Sequence, residues 1–370
     1  MQRFIPRLFV LAALSLSVWP GTPVHADERS DQLSLPPGFS ISVFARAPGA
    51  RSLVVARELE TLFVSTRGDT IYAVPLRDDD GQRPAYPVLT GLNVANAIAW
   101  KDGYLYVAEQ HRLVRYHVPS IDALTGSKPE VLFADLPNSP HHGWRYMTFA
   151  PDDALYVGIG APCNVCTTSG LEGTITRFRP PHFDQPEIVA RGVRNSVGID
   201  VQPSTGMLHF TDNGADGMGD DSPSDELNAL APGSHYGFPW YGGGHARTSQ
   251  LKDVTAPESV FPVVEFQAHV APLGVDFYSG NHFPSAYKND AFVAQHGSWN
   301  RSSKVGYQVV RIRFDGSGKA MGAEPFITGW LRPDGTVIGR PVDLEELPDG
   351  SLLISDDKAG RVYRVTYSTP

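Results

Sequence analysis

A short apolar strand pattern recurs six times along the 370-residue chain, and this repeat constrains the fold more than any other feature. The copies begin at Leu62, Leu105, Leu155, Leu208, Ala291 and Leu352, at intervals of 43, 50, 53, 83 and 61 residues. Five copies are followed by a second strand with alternating apolar residues, whereas a long insertion rich in Gly and Asp follows the fourth. A half-buried strand and a Gly- or Asp-containing turn precede the copies.

Repeated strands at a period of about 45 to 60 residues are typical of propeller blades, because one small sheet cannot bury both of its faces alone. We therefore predict an all-β fold, a six-bladed β-propeller. A β-sandwich with coincidental spacing is the alternative.

The first 26 residues are of a different kind. Arg3 and Arg7 precede an apolar run over residues 8–18, and small residues follow near Ala26. This order is typical of a secretory signal peptide, and the run is too short to span a bilayer, which takes about 20 residues. We predict a signal peptide at 1–26, a single catalytic propeller domain at 27–370, a periplasmic or secreted location, and no stable membrane insertion.

The charge of the chain argues against one class of partner and for another. With 31 Lys and Arg against 40 Asp and Glu, the net charge is -9 and no basic run occurs, so nucleic acid is not an expected partner. Aligning the predicted inner strands nevertheless places a mostly cationic or amide ring at the channel: Arg51, Asn96, Arg145, Asn195, Leu273 and Arg340, with His141, His142, Arg194 and His269 near it. Converging guanidinium groups favour an anionic occupant, because they bind carboxylates bidentately.

A series of motifs in this order carries a family resemblance: His142–Arg145 leading into Phe149–Asp152, Arg194–Asn195, Thr211–Asp216, Asp225–Asn228, Tyr236–Pro239, His296–Arg301 and Arg340–Asp343. On these residues the chain resembles the soluble pyrroloquinoline-quinone (PQQ) sugar dehydrogenases of the glucose/sorbosone dehydrogenase family, which are six-bladed propellers. The resemblance implies a dehydrogenase dependent on PQQ and Ca²⁺, which oxidises an aldose sugar, polyol or sugar aldehyde by hydride transfer to PQQ. A small sugar or alcohol would be the substrate, and an external electron acceptor would be the partner.

The resemblance also implies roles for individual residues. His142 is the expected general base, although the neighbouring His141 could exchange roles with it. Arg194 is expected to stabilise the charge that develops on the quinone. Cofactor binding is expected of Arg145, Arg194, Asn195, Arg301 and Arg340, with Arg301 standing in for a lysine of the glucose dehydrogenase branch.

A calcium site is implied at the turn after the fourth copy, through the backbone carbonyls of Gly214 and Ala215. Glu226 and Tyr236 match ligands of an additional structural calcium, but another expected carboxylate is absent near Ala246. Calcium takes oxygen ligands, so these residue types fit it.

The two cysteines, Cys163 and Cys166, are separated by two residues. Thr167 stands where attached haem needs histidine, so haem is excluded, and metal or redox chemistry would suit only a cytoplasmic protein. With export we expect a disulfide. Two other functions remain open: a calcium-dependent lactonase or esterase, and a propeller that only binds, because fold alone does not determine function.

Overall fold

The computed structural model describes residues 32–77 and 83–369, and these form six sheets of four or five strands and one two-stranded ribbon. The predicted signal peptide lies outside the described residues. The first strand is β1 (Phe39–Arg46), and the first blade is β2 (Ala50–Ala56), β3 (Thr61–Thr66), β4 (Ile71–Pro75) and β5 (Tyr86–Leu89). The second blade is β6 (Ala97–Lys101), β7 (Tyr104–Ala108), β8 (Leu113–His117) and β9 (Glu130–Phe133), with the short helix α1 (Ile121–Leu124) before β9.

The third and fourth blades follow, with insertions between strands of the fourth. The third is β10 (Tyr146–Phe149), β11 (Leu155–Ile159), β12 (Thr174–Phe178) and β13 (Glu187–Arg191). The fourth begins with β14 (Ile199–Val201), β15 (Leu208–Asp212) and β16 (Asp225–Ala229). A second insertion, between β16 and β20, contains β17 (Ser234–His235), which joins the third sheet, and the ribbon of β18 (Tyr241–Gly243) and β19 (Ala246–Arg247). The fourth blade ends with β20 (Val264–Phe266).

The fifth and sixth blades complete the ring. The fifth is β21 (Pro272–Phe277), β22 (Ala291–Gln295), β23 (Gln308–Phe314) and β24 (Ala320–Ile327); the sixth is β25 (Pro341–Glu346), β26 (Leu352–Asp356) and β27 (Arg361–Tyr367). The described residues include 3₁₀ turns at Arg57–Leu59, Ser249–Leu251 and Ser285–Tyr287. No helix of the described ranges is long and apolar enough to cross a membrane. The prediction of a six-bladed propeller is confirmed.

The six recurrent apolar segments are the second strands of the blades, and every residue of β3, β11, β15, β22 and β26 is buried. Neighbouring blades cover both faces of these strands, so a continuous apolar run suits them better than strict alternation. The fourth blade also has a third strand, β16, which the Gly- and Asp-rich insertion concealed in the sequence.

The ring closes through the amino-terminal strand. β1 pairs antiparallel with β27 from Phe39 opposite Tyr367 to Arg46 opposite Arg361, so the sixth sheet combines the two ends of the described chain. The inner strands β2, β6, β10, β14, β21 and β25 contact one another in sequence around the channel. Pairing between the two ends fixes the ring at six blades.

One end of this channel is acidic. Asp200, Asp276 and Glu345 line a cavity of about 200 Å³ there. Burial raises the pKa of Asp200 to about 7 and that of Glu345 to about 8. Glu345 accepts a hydrogen bond from the Val55 amide at 2.9 Å and so links the sixth blade to the first. The carboxylates at this end therefore join neighbouring blades.

Candidate functional site

The other end of the channel opens into a cavity of about 380 Å³, which we call the mouth cavity. Its charged and imidazole lining comes from all six blades and their loops: Arg51, Arg67, His141, His142, Arg194, Asp216, Asp225, His269, His296 and Arg340. Four guanidinium groups thus meet two carboxylates in a protein whose net charge is -9. Arg51 pairs with Asp357 at 3.0 Å, and Arg194 pairs with Asp216 at 3.0 Å. Arg67 and Arg340 have no carboxylate within ion-pair distance among the described residues, and these two cations favour an anionic occupant.

His142 lies on the loop between β9 and β10, with a left-handed φ of 51°. Its Nδ1 is 2.9 Å from the carbonyl oxygen of Ala161. Because a carbonyl only accepts, Nδ1 carries the proton and Nε2 keeps a free lone pair. Burial, with the charges of Arg194 and His141, lowers the pKa of His142 to about 2, so the ring is neutral at pH 7. A neutral imidazole with this tautomer can accept a proton at Nε2.

The neighbouring His141 also lines the mouth cavity, and the two rings lie 4.1 Å apart between centroids. His141 is exposed, whereas His142 is only 7% exposed. Burial and Arg194 lower the pKa of His141 as well. The defined tautomer and the burial favour His142 as the base.

Gly160 allows His142 to approach the third blade this closely. A Cβ at Gly160 would lie 2.5 Å from the Cβ of His142 and 2.7 Å from its carbonyl oxygen. Any other residue at position 160 would push His142 away from Ala161. Sequence reasoning gave no reason to single out this glycine.

Arg194 follows β13 and is 3% exposed, and four hydrogen bonds hold its guanidinium. Nε donates to the Asn164 carbonyl at 3.0 Å, and Nη1 donates to the Asn213 carbonyl at 3.0 Å. Nη2 donates to Asn164 Oδ1 at 2.8 Å and to Asp216 Oδ2 at 3.0 Å. A guanidinium has five N–H donors, so one N–H of Nη1 has no partner among the described residues. Arg194 therefore brings a fixed cation and one spare donor to the mouth cavity.

Asn195 and Arg340 line the same cavity. Asn195 Oδ1 is buried with no hydrogen-bond partner in the part of the chain that the structure describes. Arg340 donates from Nε to the His296 carbonyl at 3.0 Å and from Nη2 to the Gly297 carbonyl at 2.6 Å. This oxygen lies against Gly160, where an added Cβ would be 3.4 Å away, and an unpaired buried oxygen of this kind is costly.

Arg145 and Arg301 are not among the residues that line the mouth cavity. Arg145, which is 1% exposed, points into the protein and donates to the carbonyls of His142 at 3.2 Å, Gln110 at 3.0 Å and Pro137. These bonds tie Arg145 to the loop that carries His142 and to the end of β7, although its buried Nε has no partner among the described residues. The geometry of Arg145 is therefore that of a support rather than of a cofactor ligand.

Arg301 likewise turns away from the mouth cavity. Its guanidinium donates to the carbonyl of Asp220 and pairs with Asp221 at 3.2 Å. Both acceptors belong to the acidic insertion after β15. Their negative charge holds the Arg301 side chain on the side facing this insertion. The predicted replacement of a cofactor-binding lysine by Arg301 is therefore not favoured by this geometry.

The predicted calcium turn reaches the mouth cavity at Gly214. The carbonyl oxygens of Gly214 and Ala215 accept no hydrogen bond from the described residues. Their amides are used, since Gly214 donates to Asp225 at 2.7 Å and Ala215 donates to Gly242 at 2.6 Å. Free carbonyl oxygens beside a buried carboxylate are suitable ligands for a hard cation.

Within residues 32–77 and 83–369, no group of three or more His, Cys, Asp and Glu side chains is arranged to hold a metal. A metal at the mouth would therefore depend on backbone oxygens and on a bound cofactor. Asp225 is the buried carboxylate that accepts from the Gly214 amide of the predicted calcium turn, and burial raises the pKa of its carboxyl group to about 6.

Glu226 and Tyr236 meet at a small cavity of about 10 Å³ behind the mouth, which Asp212 also lines. This volume suits about one water-sized occupant. Glu226 accepts from the Gly244 amide at 2.5 Å and from Asn228 at 2.8 Å, and burial raises its pKa to about 8. The Tyr236 hydroxyl is occupied by Ala229 and Ala231, so it is not free to bind a metal.

Several cavity residues were not selected from the sequence. Arg67 follows β3, a second strand, so an alignment of inner strands could not find it. Its guanidinium stacks 4.1 Å over the Trp144 ring. Trp299, 75% exposed, also lines the mouth cavity. For Trp299, the sequence offered one signal, which is its position inside the His296–Arg301 motif.

The expected disulfide is confirmed between Cys163 and Cys166. It closes the loop after β11, and Asn164 within this loop contacts Arg194. The disulfide therefore lies beside the mouth cavity.

Known proteins are similar to this chain in sequence and in fold. An uncharacterised protein of Borreliella burgdorferi is 32% identical over 99% of this chain and 97% of its own length. A pyrroloquinoline quinone-dependent pyranose dehydrogenase of Coprinopsis cinerea is 32% identical over 123 residues, covering 28% of this chain and 16% of that protein. The holo form of a pyranose dehydrogenase PQQ domain from Coprinopsis cinerea shares the fold, with a TM-score of 0.74, 18% identity, and coverage of 90% of this chain and 97% of that one.

The family comparison covers most of the propeller. The sequence model described as Glucose / Sorbosone dehydrogenase matches residues 104–364, which extend from the second blade to the last strand. This range contains His142, Arg194 and Arg340. The protein is thus a propeller with the oxidoreductase signature of sugar dehydrogenases, and it belongs to the glucose/sorbosone dehydrogenase family.

Proposed function

We propose that the protein is a PQQ- and Ca²⁺-dependent dehydrogenase that oxidises an aldose sugar, polyol or sugar aldehyde. The observation that carries the proposal is the meeting of four guanidinium groups with a neutral imidazole of defined tautomer in one cavity. The PQQ dependence of the Coprinopsis cinerea pyranose dehydrogenase supports the choice of cofactor.

The residues of the mouth cavity fit a tricarboxylate such as PQQ. Arg51, Arg67 and Arg340 approach from the first and sixth blades and would hold carboxylates. Asn195 lines the same cavity and would contact this occupant. Arg145 would support the loop of His142, and Arg301 would brace the acidic insertion.

His142 would act as the general base. Its Nε2 accepts the proton when the O–H bond of the substrate breaks, while Ala161 holds the ring through Nδ1. Bound PQQ supplies the acceptor for the hydride that leaves the substrate carbon. The negative charge of a tricarboxylate bound in the mouth cavity would raise the pKa of the His142 imidazole from about 2 and so make it a stronger base.

Arg194 would stabilise negative charge with its spare N–H. The four bonds that hold its guanidinium orient this donor before substrate arrives, so little reorganisation is needed. Gly214 and Ala215 would offer carbonyl oxygens to Ca²⁺, which supplies Lewis acidity. Glu226 with Asp212 would suit a second cation, without the hydroxyl of Tyr236.

We further propose that residues 1–26 direct export, so that PQQ, calcium and an external electron acceptor meet the protein outside the cytoplasm. The Cys163–Cys166 disulfide supports this location, because disulfides persist in oxidising compartments.

Reconstitution tests the function. Purified protein is titrated with PQQ in the presence of Ca²⁺, and the absorbance of bound PQQ and the reduction of a dye by sugars are measured. His142→Ala should retain PQQ and lose turnover by about 100-fold or more. Failure to bind PQQ would refute the cofactor assignment, whereas tight binding with no activity on a broad panel of sugars and alcohols would refute the substrate class.

The lactonase alternative is less well supported. It requires several carboxylates that converge on a metal, and the described part of the chain contains no such cluster. Hydrolysis of lactones by the protein without PQQ would reverse this ranking.

A further inference from the structure

We propose that Asn164, between the cysteines of the Cys163–Cys166 disulfide, is a positioning residue for Arg194. This inference rests on the proposed function, in which Arg194 stabilises negative charge. It assigns a catalytic purpose to the disulfide loop beyond the stability of the fold.

Asn164 supplies two of the four acceptors that hold the Arg194 guanidinium. Its backbone carbonyl accepts from Nε at 3.0 Å, and its Oδ1 accepts from Nη2 at 2.8 Å. These two bonds act along one edge of the guanidinium and therefore fix its plane. The third acceptor, Asn213, lies on the opposite side and takes one hydrogen of Nη1.

The side chain of Asn164 is itself held in one orientation. Oδ1 also accepts from the Asp216 amide at 2.8 Å, while Nδ2 donates to the Asp216 carbonyl at 2.9 Å. Two donors face the oxygen and one carbonyl faces the nitrogen, so flipping the amide would break all three contacts. Asn164 thereby ties the loop of the third blade to the calcium turn of the fourth.

Removing the Asn164 side chain would leave Nη2 of Arg194 with Asp216 as its remaining acceptor, at 3.0 Å. That carboxylate is 28% exposed and also accepts from Asn300 at 2.7 Å. The guanidinium would keep its bonds to the backbone carbonyls of Asn164 and Asn213, but the edge that carries Nη2 would be held only by a partly exposed carboxylate. The plane of the guanidinium, and with it the direction of the spare N–H of Nη1, would then be less constrained.

The disulfide explains why Asn164 can hold this position on a loop. Asn164 lies between β11 and β12, outside the strand pairs of the third sheet. A covalent bond across three residues limits the backbone of position 164, including the carbonyl that accepts from Arg194. Breaking it should release both acceptors together.

The experiment is a double-mutant cycle of Asn164→Ala and Arg194→Ala, with Val165→Ala as the matched control in the same disulfide loop. In the PQQ- and Ca²⁺-loaded protein, we expect Asn164→Ala to lower kcat by about 10- to 100-fold, with less than about a 3-fold change in KM. Adding Asn164→Ala to Arg194→Ala should change kcat by less than about 2-fold, since the residue acts through Arg194. An equal loss in both backgrounds, or the same loss in Val165→Ala, would overturn the proposal.

The protein without cofactor gives a readout that does not depend on activity. The urea midpoint of the double variant should fall by less than the two single losses together, because each variant already breaks the same contact. Additive losses would overturn the contact. If the loaded wild-type protein oxidises no sugar or alcohol, the proposed function and the positioning role fail together. The urea midpoints of the protein without cofactor still show in that case whether the side chains of Asn164 and Arg194 stabilise each other.

Reduction of the disulfide completes the test. The wild-type protein is reduced with dithiothreitol, freed of the reductant and then loaded with PQQ and Ca²⁺. Its kcat should fall by at least the factor of Asn164→Ala, because both acceptors are released, and reoxidation should restore it. The Asn164→Ala variant should respond by a smaller factor than the wild-type protein, because only its backbone acceptor is left to be released. A wild-type kcat that is unchanged after complete reduction would overturn the role of the disulfide in positioning Asn164.

Discussion

Replacing Arg145 with methionine separates two roles for this residue, cofactor ligand and support of the His142 loop. Methionine keeps the apolar volume and removes the three bonds to the carbonyls of His142, Gln110 and Pro137. We expect Arg145→Met to destabilise the protein and to lower kcat, while the affinity for PQQ stays within about 2-fold of the wild-type value.

The magnitude follows from two opposing effects. Hydrogen bonds from a charged donor contribute about 1.5–3 kcal/mol each to stability. Burial lowers the pKa of Arg145 from 12.5 to about 10, which corresponds to a cost of roughly 3 kcal/mol for the charged form. The guanidinium should therefore stabilise the fold by about 3 kcal/mol, and its loss should lower Tm by about 4 °C in a domain of this size.

The assays are thermal unfolding of the protein without cofactor, PQQ titration, and dye reduction. A displacement of His142 by about 1 Å should lower kcat by as much as about 100-fold. Arg115→Met is the matched control, because Arg115 pairs with Glu130 on the outer part of the second blade. An unchanged Tm with a PQQ affinity more than about 10-fold weaker would refute this reasoning and favour the ligand role.

Two further predictions concern titration. In the protein without cofactor, His142 should stay neutral from pH 5 to pH 8, because its pKa is about 2, and an inflection of its ring signals near pH 6.5 in NMR would contradict the burial argument. At the acidic end of the channel, the pKa of Glu345 is raised from 4.5 to about 8, so the folded state holds a proton that the unfolded state loses. Stability should fall as pH rises from about 4.5 to about 8, and Glu345→Gln should remove up to roughly 4 kcal/mol of this fall. Urea unfolding at pH 5 and pH 8.5 checks the sign, and a variant that is less stable than wild type at pH 8.5 would contradict it.

Much of the architecture could be predicted because each blade is a local pattern. The apolar segment from Leu62, like its five counterparts, became a buried second strand, since its pairing partners lie within the same blade. His142, Arg194 and Arg340 also reached one cavity, because equivalent positions of the blades meet at the channel. The disulfide between neighbouring cysteines was local as well.

What the pattern could not reveal depends on contacts between distant parts of the chain. The pairing of β1 with β27 joins segments more than 300 residues apart, and no local period records it. Arg67 reaches the mouth cavity from a second strand, outside the aligned ring.

The same reason governs the direction of each site residue. Sequence determined that Arg145 stands at the entrance of an inner strand, but only the tertiary structure decided that its guanidinium turns inward to three carbonyls. The tautomer of His142 depends on Ala161, and the plane of Arg194 depends on Asn164. Strand periodicity specifies where a side chain leaves the backbone, whereas the donors and acceptors brought near it by folding decide where it points.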